Sequence, residues 1–142
     1  MGDGLPREPE KFVLPGHRGR ITKLAIHPTY SMVASASEDA SIRIWDFEQG
    51  EHERTLKSHI GMVNCVTFSP LNGTTLASCS IDMTVKLWSM QTFQVTKTLE
   101  GHEHEVSSVA YMHSGDFLMS SSRDMTIRIW NTITGECIQK LT

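Results

Sequence analysis

The sequence predicts an all-β fold assembled from three similar four-stranded units, and three observations predict it. Histidine, aspartate and tryptophan recur in lockstep: His17, His59 and His102 are 42 and 43 residues apart, Asp39, Asp82 and Asp124 are 43 and 42, and Trp45, Trp88 and Trp130 follow suit. In every unit the Asp precedes the Trp by six residues. Between these markers, short runs of alternating apolar residues are separated by turn formers, with no helical period. Internal self-similarity of about 40–45 residues carrying four strands per unit is the signature of propeller blades.

The strands can be read in order. After each His comes an alternating run: Ile21, Leu24 and Ile26; Val63, Val66 and Phe68; Val106, Val109 and Tyr111. A turn follows at His27-Pro28, Ser69-Pro70 or Ser114-Gly115. A second run, Met32 to Ser37 in the first unit, ends in small residues before the Asp, and a third alternates toward the Trp through Ile42 and Ile44, Val85 and Leu87, or Ile127 and Ile129. The fourth lies around Arg54 to Leu56, Val95 to Leu99 and Cys137 to Leu141. The one extra residue of the second unit falls at Pro70 to Thr74, a turn that absorbs an insertion at little cost. Asn72-Gly73-Thr74 is formally a glycosylation sequon and reads as that turn.

Composition bounds the function. Its 142 residues, 39% of them hydrophobic, match one ordinary domain with a core. With 13 basic and 16 acidic residues, no whole-chain basic field exists to hold nucleic acid or an anionic membrane. No apolar run approaches the roughly 18 residues of a bilayer span, and no signal-peptide core is evident. Met1-Gly2 lacks the Ser or Thr that myristoylation wants, because position 6 is Pro. Cys65, Cys79 and Cys137 form neither an even framework nor a CxxC pair, and read as reduced, mostly buried thiols of a cytosolic protein.

Ser35, Ser78 and Ser120 each lie four residues before a repeat Asp, so every unit offers an apparent Ser–His–Asp set. A catalytic site is normally singular, whereas this constellation recurs three times, and the structural reading prevails. His102-Glu103-His104 lacks further ligands at metal spacing. GxGxxG, GxxxxGK[ST] and GxSxG are absent. No enzyme, cofactor or metal is expected.

Working surface is expected in the loop after each His and the tight turn beside each Asp. Those positions hold Arg18, Arg20 and Glu38, then Ile60, Met62 and Ile81, then Glu103, His104, Glu105 and Arg123. The apolar trio of the middle unit, with arginines on either side, suits a protein surface. Arg123, long and cationic beside a tight turn, suits an acidic partner through bidentate contacts.

Gly16-His17, Ser58-His59 and Gly101-His102, together with Trp45-Asp46, Trp88-Ser89 and Trp130-Asn131, resemble the paired dipeptides of the WD40 repeat family, with both intact only in the first unit. That resemblance implies a buried hydrogen-bonded chain in each blade: Trp45–Ser35–His17–Asp39, Trp88–Ser78–His59–Asp82 and Trp130–Ser120–His102–Asp124. Further stretches narrow it. Ser35 to Ile44, Glu53 to Leu56, Leu76 to Trp88, Gly101 to His104, Val106 to Ala110 and Ser122 to Asp124 are similar to the first three repeats of the lissencephaly-1 family. The resemblance implies a noncatalytic regulator of cytoplasmic dynein, acting at microtubules and centrosomes and in nuclear positioning. It further implies an association with separate catalytic subunits of platelet-activating-factor acetylhydrolase. A partner-binding face of Arg20, Glu38, Met62, Ile81, Glu105 and Arg123 is expected, Arg123 matching the family's basic contact beside the third blade's Asp. A WD40 adaptor of a ubiquitin-ligase or transcription complex is the alternative, as is a nonfunctional truncated product.

The expected layout is a disordered stretch at 1–10, an outer strand at 11–14 whose partners are missing, and repeats at 15–57, 58–99 and 100–142. Three blades are an incomplete part of a seven-bladed ring, and the family's N-terminal dimerisation region is not in this sequence, so a fragment that is monomeric or nonspecifically associated is expected.

Overall fold

Runs of β-branched and small residues bounded by Gly, Pro, Asn and Ser favour short pleated strands, because branched side chains pack well on a pleated surface while turn formers end each run. The computed structural model describes residues 13–142, and within them each of the four runs predicted in every repeat unit is a strand. The first unit holds β1 (Ile21–Ile26), β2 (Met32–Ser37), β3 (Ser41–Asp46) and β4 (Glu51–Lys57). The second holds β5 (Val63–Phe68), β6 (Thr75–Ser80), β7 (Val85–Ser89) and β8 (Val95–Leu99). The third holds β9 (Val106–Tyr111), β10 (Phe117–Ser122), β11 (Ile127–Asn131) and β12 (Cys137–Leu141). Each unit is one antiparallel meander with its strands in chain order. No helix occurs among the described residues.

Two boundaries differ from the sequence reading. The fourth strand of the first unit begins at Glu51, upstream of its apolar signal at Arg54 to Leu56. Pairing with β3 is made by backbone, so the polar residues Glu51 and His52 extend the ladder without any hydrophobic pattern. Val13 and Leu14 belong to no strand, and the rest of segment 11–14, like the stretch 1–10, lies outside the described residues.

The blades stack through their first strands, β1 beside β5 and β5 beside β9. Two side-chain latches support that stacking. Thr22 donates its hydroxyl to the Val63 carbonyl, and Asn64 its amide to the Val106 carbonyl at 2.8 Å. Strand alternation then divides the core in two. Ile42, Ile44 and Leu56 of the first blade meet Val66, Phe68, Leu76 and Trp88 of the second. Cys65, Ala77, Cys79, Val85 and Leu87, on the opposite pleat of the second blade, meet Val106, Val109, Leu118 and Trp130 of the third. Burying each large aliphatic side chain contributes about 1.5–3 kcal/mol. Among the described residues, only the middle blade is covered on both faces. At one repeated position Leu24 is 58% exposed where Val66 is 1% and Val109 5%; at another, Ile42 and Val85 are fully buried and Ile127 is 38% exposed.

Candidate partner-binding face

Each blade carries the same four-residue chain, built from the inside outward. The indole nitrogen can only donate, and Trp88 Nε1 donates to Ser78 Oγ at 2.9 Å. The serine hydroxyl is thereby left to donate to His59 Nε2 at 2.7 Å, and His59 Nδ1–H to donate to Asp82 Oδ2 at 2.9 Å. The first blade repeats this with Trp45, Ser35, His17 and Asp39 at 2.9, 2.6 and 3.0 Å. The third does so with Trp130, Ser120, His102 and Asp124 at 2.8, 2.7 and 2.9 Å. All three serines are buried with both partners inside the blade, so no hydroxyl is presented to a substrate. The apparent triad is a buttress.

The aspartate turns that buttress into a clamp on two loops. One oxygen of Asp82 accepts from the Ile60 amide at 3.2 Å as well as from His59, and the other accepts from the Thr84 amide and hydroxyl. Asp39 holds Arg18 and Ser41 in the same way, and Asp124 holds Glu103 and Thr126. Burial pushes these carboxyls up. The opposing hydrogen bonds are stronger: from Ser41, the Arg18 amide and His17 on Asp39; from His59 and Thr84 on Asp82; from Thr126, the Glu103 amide and His102 on Asp124. All three therefore sit well below the ordinary carboxylate range.

Backbone bonds complete the clamp. Glu38 N donates to Arg20 O at 2.8 Å, Ile81 N to Met62 O at 3.0 Å and Arg123 N to Glu105 O at 3.0 Å. The six residues expected on the face are thus brought together as three side-by-side pairs. Arg20 and Glu38 form an ion pair at 2.8 Å, and Arg123 lies 3.9 Å from Glu105 with most of its side chain in solvent. Between them the same two positions are apolar, Met62 and Ile81, and Ile60 beside them is 90% exposed. The charge order reverses across the face: the His-side loop carries Arg in the first blade and Glu in the third. Exposed pairs of this kind contribute only about 0.2–1 kcal/mol to stability, so both charges stay available to a ligand.

Sequence reasoning misses Met83 and Met125. Each follows its repeat Asp with positive φ (73° and 70°), and the left-handed turn points Met125 outward, 88% exposed. The dipeptides Asp82-Met83 and Asp124-Met125 are the available signal. His27, a plain turn residue by sequence, has a larger part. It is buried, accepts from the Thr29 and Tyr30 amides on Nδ1, and donates from Nε2 to the Gly73 carbonyl at 3.1 Å, tying the first blade to the second. Among the described residues no group of three or more His, Cys, Asp or Glu is placed to hold a metal ion.

Comparison with known proteins agrees with this architecture. The family described as WD domain, G-beta repeat, matches residues 9–46, 50–89 and 93–131. The chain is 46% identical over 147 residues to the nuclear distribution protein PAC1 of Coccidioides posadasii, covering 96% of this chain and 31% of that protein. It is 46% identical over 138 residues to the nuclear distribution protein nudF of Emericella nidulans, covering 95% and 31%. A 54-residue stretch, 38% of this chain and 13% of the relative, is 63% identical to a lissencephaly-1 homolog of Glossina morsitans morsitans. The chain therefore spans about a third of the length of the two fungal relatives it matches.

Proposed function

The chain belongs to the WD-repeat family, and from that premise we propose that it is a noncatalytic interaction scaffold of the nuclear-distribution and lissencephaly-1 type. In this reading it regulates cytoplasmic dynein in microtubule-based transport and in nuclear and centrosome positioning, and works in the cytoplasm on the cytoskeleton. Its clamped loop face receives the dynein motor domain, and the catalytic subunits of platelet-activating-factor acetylhydrolase are a further partner. Repeats at 15–57, 58–99 and 100–142 are its modules, three of the seven in the ring this reading implies.

The observation that supports the reading is the loop face itself. Three hydrogen-bonded clamps hold Ile60, Met62 and Ile81 between two ion pairs of opposite order. A preorganised apolar centre with a charged rim favours protein over small-molecule ligands, because little entropy is lost on docking. Binding of the full chain to purified dynein motor domain, by surface-immobilised titration, tests it. Arg123→Glu and Ile60→Asp are each expected to weaken binding by about tenfold or more, with melting unchanged, since both side chains are exposed. Undiminished binding by both variants would overturn the proposed face. Failure of the unaltered chain to bind the motor would overturn the dynein assignment.

A further inference from the structure

The repeat breaks at one internal position. Cys65 on β5 and Cys79 on β6 are directly opposed partners in the antiparallel ladder. The equivalent pair in the first blade is Lys23 and Ala36, and in the third Ser108 and Ser121. The fold thus accepts a long cation, a methyl or a hydroxyl here, and nothing in blade packing demands two thiols. Opposed residues in such a ladder have Cα atoms about 4.5–5.5 Å apart, inside the roughly 4.4–6.8 Å window of disulfides. We propose that Cys65 and Cys79 form a peroxide-oxidisable dithiol, with Cys65 as the reacting sulfur and Cys79 as the resolving one.

The surroundings divide the roles. Because the blades stack through their first strands, the residues equivalent to Cys65 lie on either side of it. Lys23 comes from β1, and the Ser108 hydroxyl lies 3.9 Å from the Cys65 sulfur. Both neighbours are exposed, and all three line one open cleft of about 490 Å³ along the first strands, through which a small oxidant reaches Cys65. Cys79 lies behind it, with no exposed surface. The neighbouring Cys79 side chain lowers the Cys65 thiol to about 6 against the opposing effect of burial, and the Val109 backbone, Ser108 and the Lys23 charge add to the lowering. The Cys65 side chain, burial and the Asp82 charge push the Cys79 thiol up. A thiol of lowered pKa on the wall of an open cleft, itself only 5% exposed, with a protonated thiol against it is an arrangement open to oxidation by a molecule as small as peroxide.

The chemistry balances with hydrogen peroxide as oxidant. The Cys65 thiolate attacks one peroxide oxygen, the O–O bond breaks, and hydroxide leaves to take up a proton as water. Sulfur is oxidised by two electrons to sulfenic acid. The Cys79 sulfur then attacks the Cys65 sulfur, the S–O bond breaks, and the hydroxyl departs with the Cys79 proton as a second water. Two equivalents of a small-molecule thiol, the first forming a mixed disulfide and the second displacing it as the small-molecule disulfide, return two electrons and restore both cysteines. The disulfide would tie the inner strand of the middle blade to its neighbour, within the core shared with the third blade.

Peptide mass spectrometry of the full chain tests the proposal, with Cys137 as internal reference. Stoichiometric peroxide is expected to join the Cys65 and Cys79 peptides with loss of two hydrogens, reversibly by reductant, and to leave Cys137 free. Alkylation of Cys65 by iodoacetamide should reach half its maximal rate near pH 6. The substitutions are taken from the neighbouring blades. In Cys79→Ala, as at Ala36, Cys65 should accumulate as sulfenic acid trapped by dimedone; in Cys65→Ser, as at Ser108, Cys79 should stay unmodified. Oxidation of Cys137 ahead of Cys65 in the unaltered chain, or stable sulfenic acid at Cys65 beside an intact Cys79, would overturn the proposal.

Discussion

Replacing Ser78 by Ala tests the clamp at its centre. The substitution removes one oxygen and leaves the β-carbon in place, so it creates almost no cavity. It does strand two polar groups: the Trp88 indole N–H, on a residue 2% exposed, loses its acceptor at 2.9 Å, and His59 Nε2 loses its donor at 2.7 Å. Each buried unsatisfied group costs about 1–3 kcal/mol, so the expected loss is about 2–6 kcal/mol. For a chain of this size about 1 kcal/mol corresponds to roughly 3–4 °C, giving a fall in Tm of about 7–20 °C. Calorimetry or thermal circular dichroism of Ser78→Ala, Trp88→Phe and the double variant reads it. Because Trp88→Phe already removes the donor, the double variant should be less destabilised than the sum of the singles by about 1 kcal/mol or more. A Tm within about 2 °C of the parent, or strict additivity, refutes the claim that the chain of hydrogen bonds is continuous.

Acid should unfold the protein through the same residues. The folded-state pKa values of Asp39, Asp82 and Asp124 lie below the unfolded value of 3.8, so the stability they contribute is fully present above that value. It is lost as pH falls through it toward the folded values. A Tm that is level from about pH 7 to 5.5 and drops steeply below about pH 4 is expected, with Asp82→Asn destabilised at pH 7 and showing a shallower acid limb. A parent and variant with parallel acid limbs would exclude Asp82 from the effect. Gly73→Ala should cost about 2 kcal/mol or more. Gly73 has a φ of 64°, and an added Cβ would run into the buried His27 ring, combining left-handed strain with overpacking at the first interblade joint. Chemical denaturation measures it, and a neutral substitution would show that the His27 latch is dispensable.

The clamp residues are legible in the sequence through the resemblance to the WD40 repeat, and the hydrogen-bonding valence of each fits the role that the resemblance implies. A Trp, a Ser, a His and an Asp recurring in register leave few ways to satisfy one another. The working face is legible only as positions. Sequence puts Arg20, Glu38, Glu105 and Arg123 in the right loops, yet the pairing of Arg20 with Glu38 and of Glu105 with Arg123 follows from backbone bonds across 18 residues. Met83 and Met125 escape notice because their place comes from a left-handed turn that leaves no mark on the apolar pattern.

Residue order alone thus encodes the local grammar: three units, four strands each and turns between them. Those features depend on alternation, turn chemistry and spacing within about 40 residues, which a linear pattern carries directly. Register and stacking belong to the packed molecule. Packing sets Cys65 against Cys79, lays Lys23 and Ser108 on either side of Cys65, and joins His27 to Gly73 across 46 residues. It also covers both faces of the middle blade while leaving Leu24 and Ile127 open on the outer ones. A strand pattern specifies which residues share a pleat; which pleat meets which neighbour is fixed only when the twisted sheets pack.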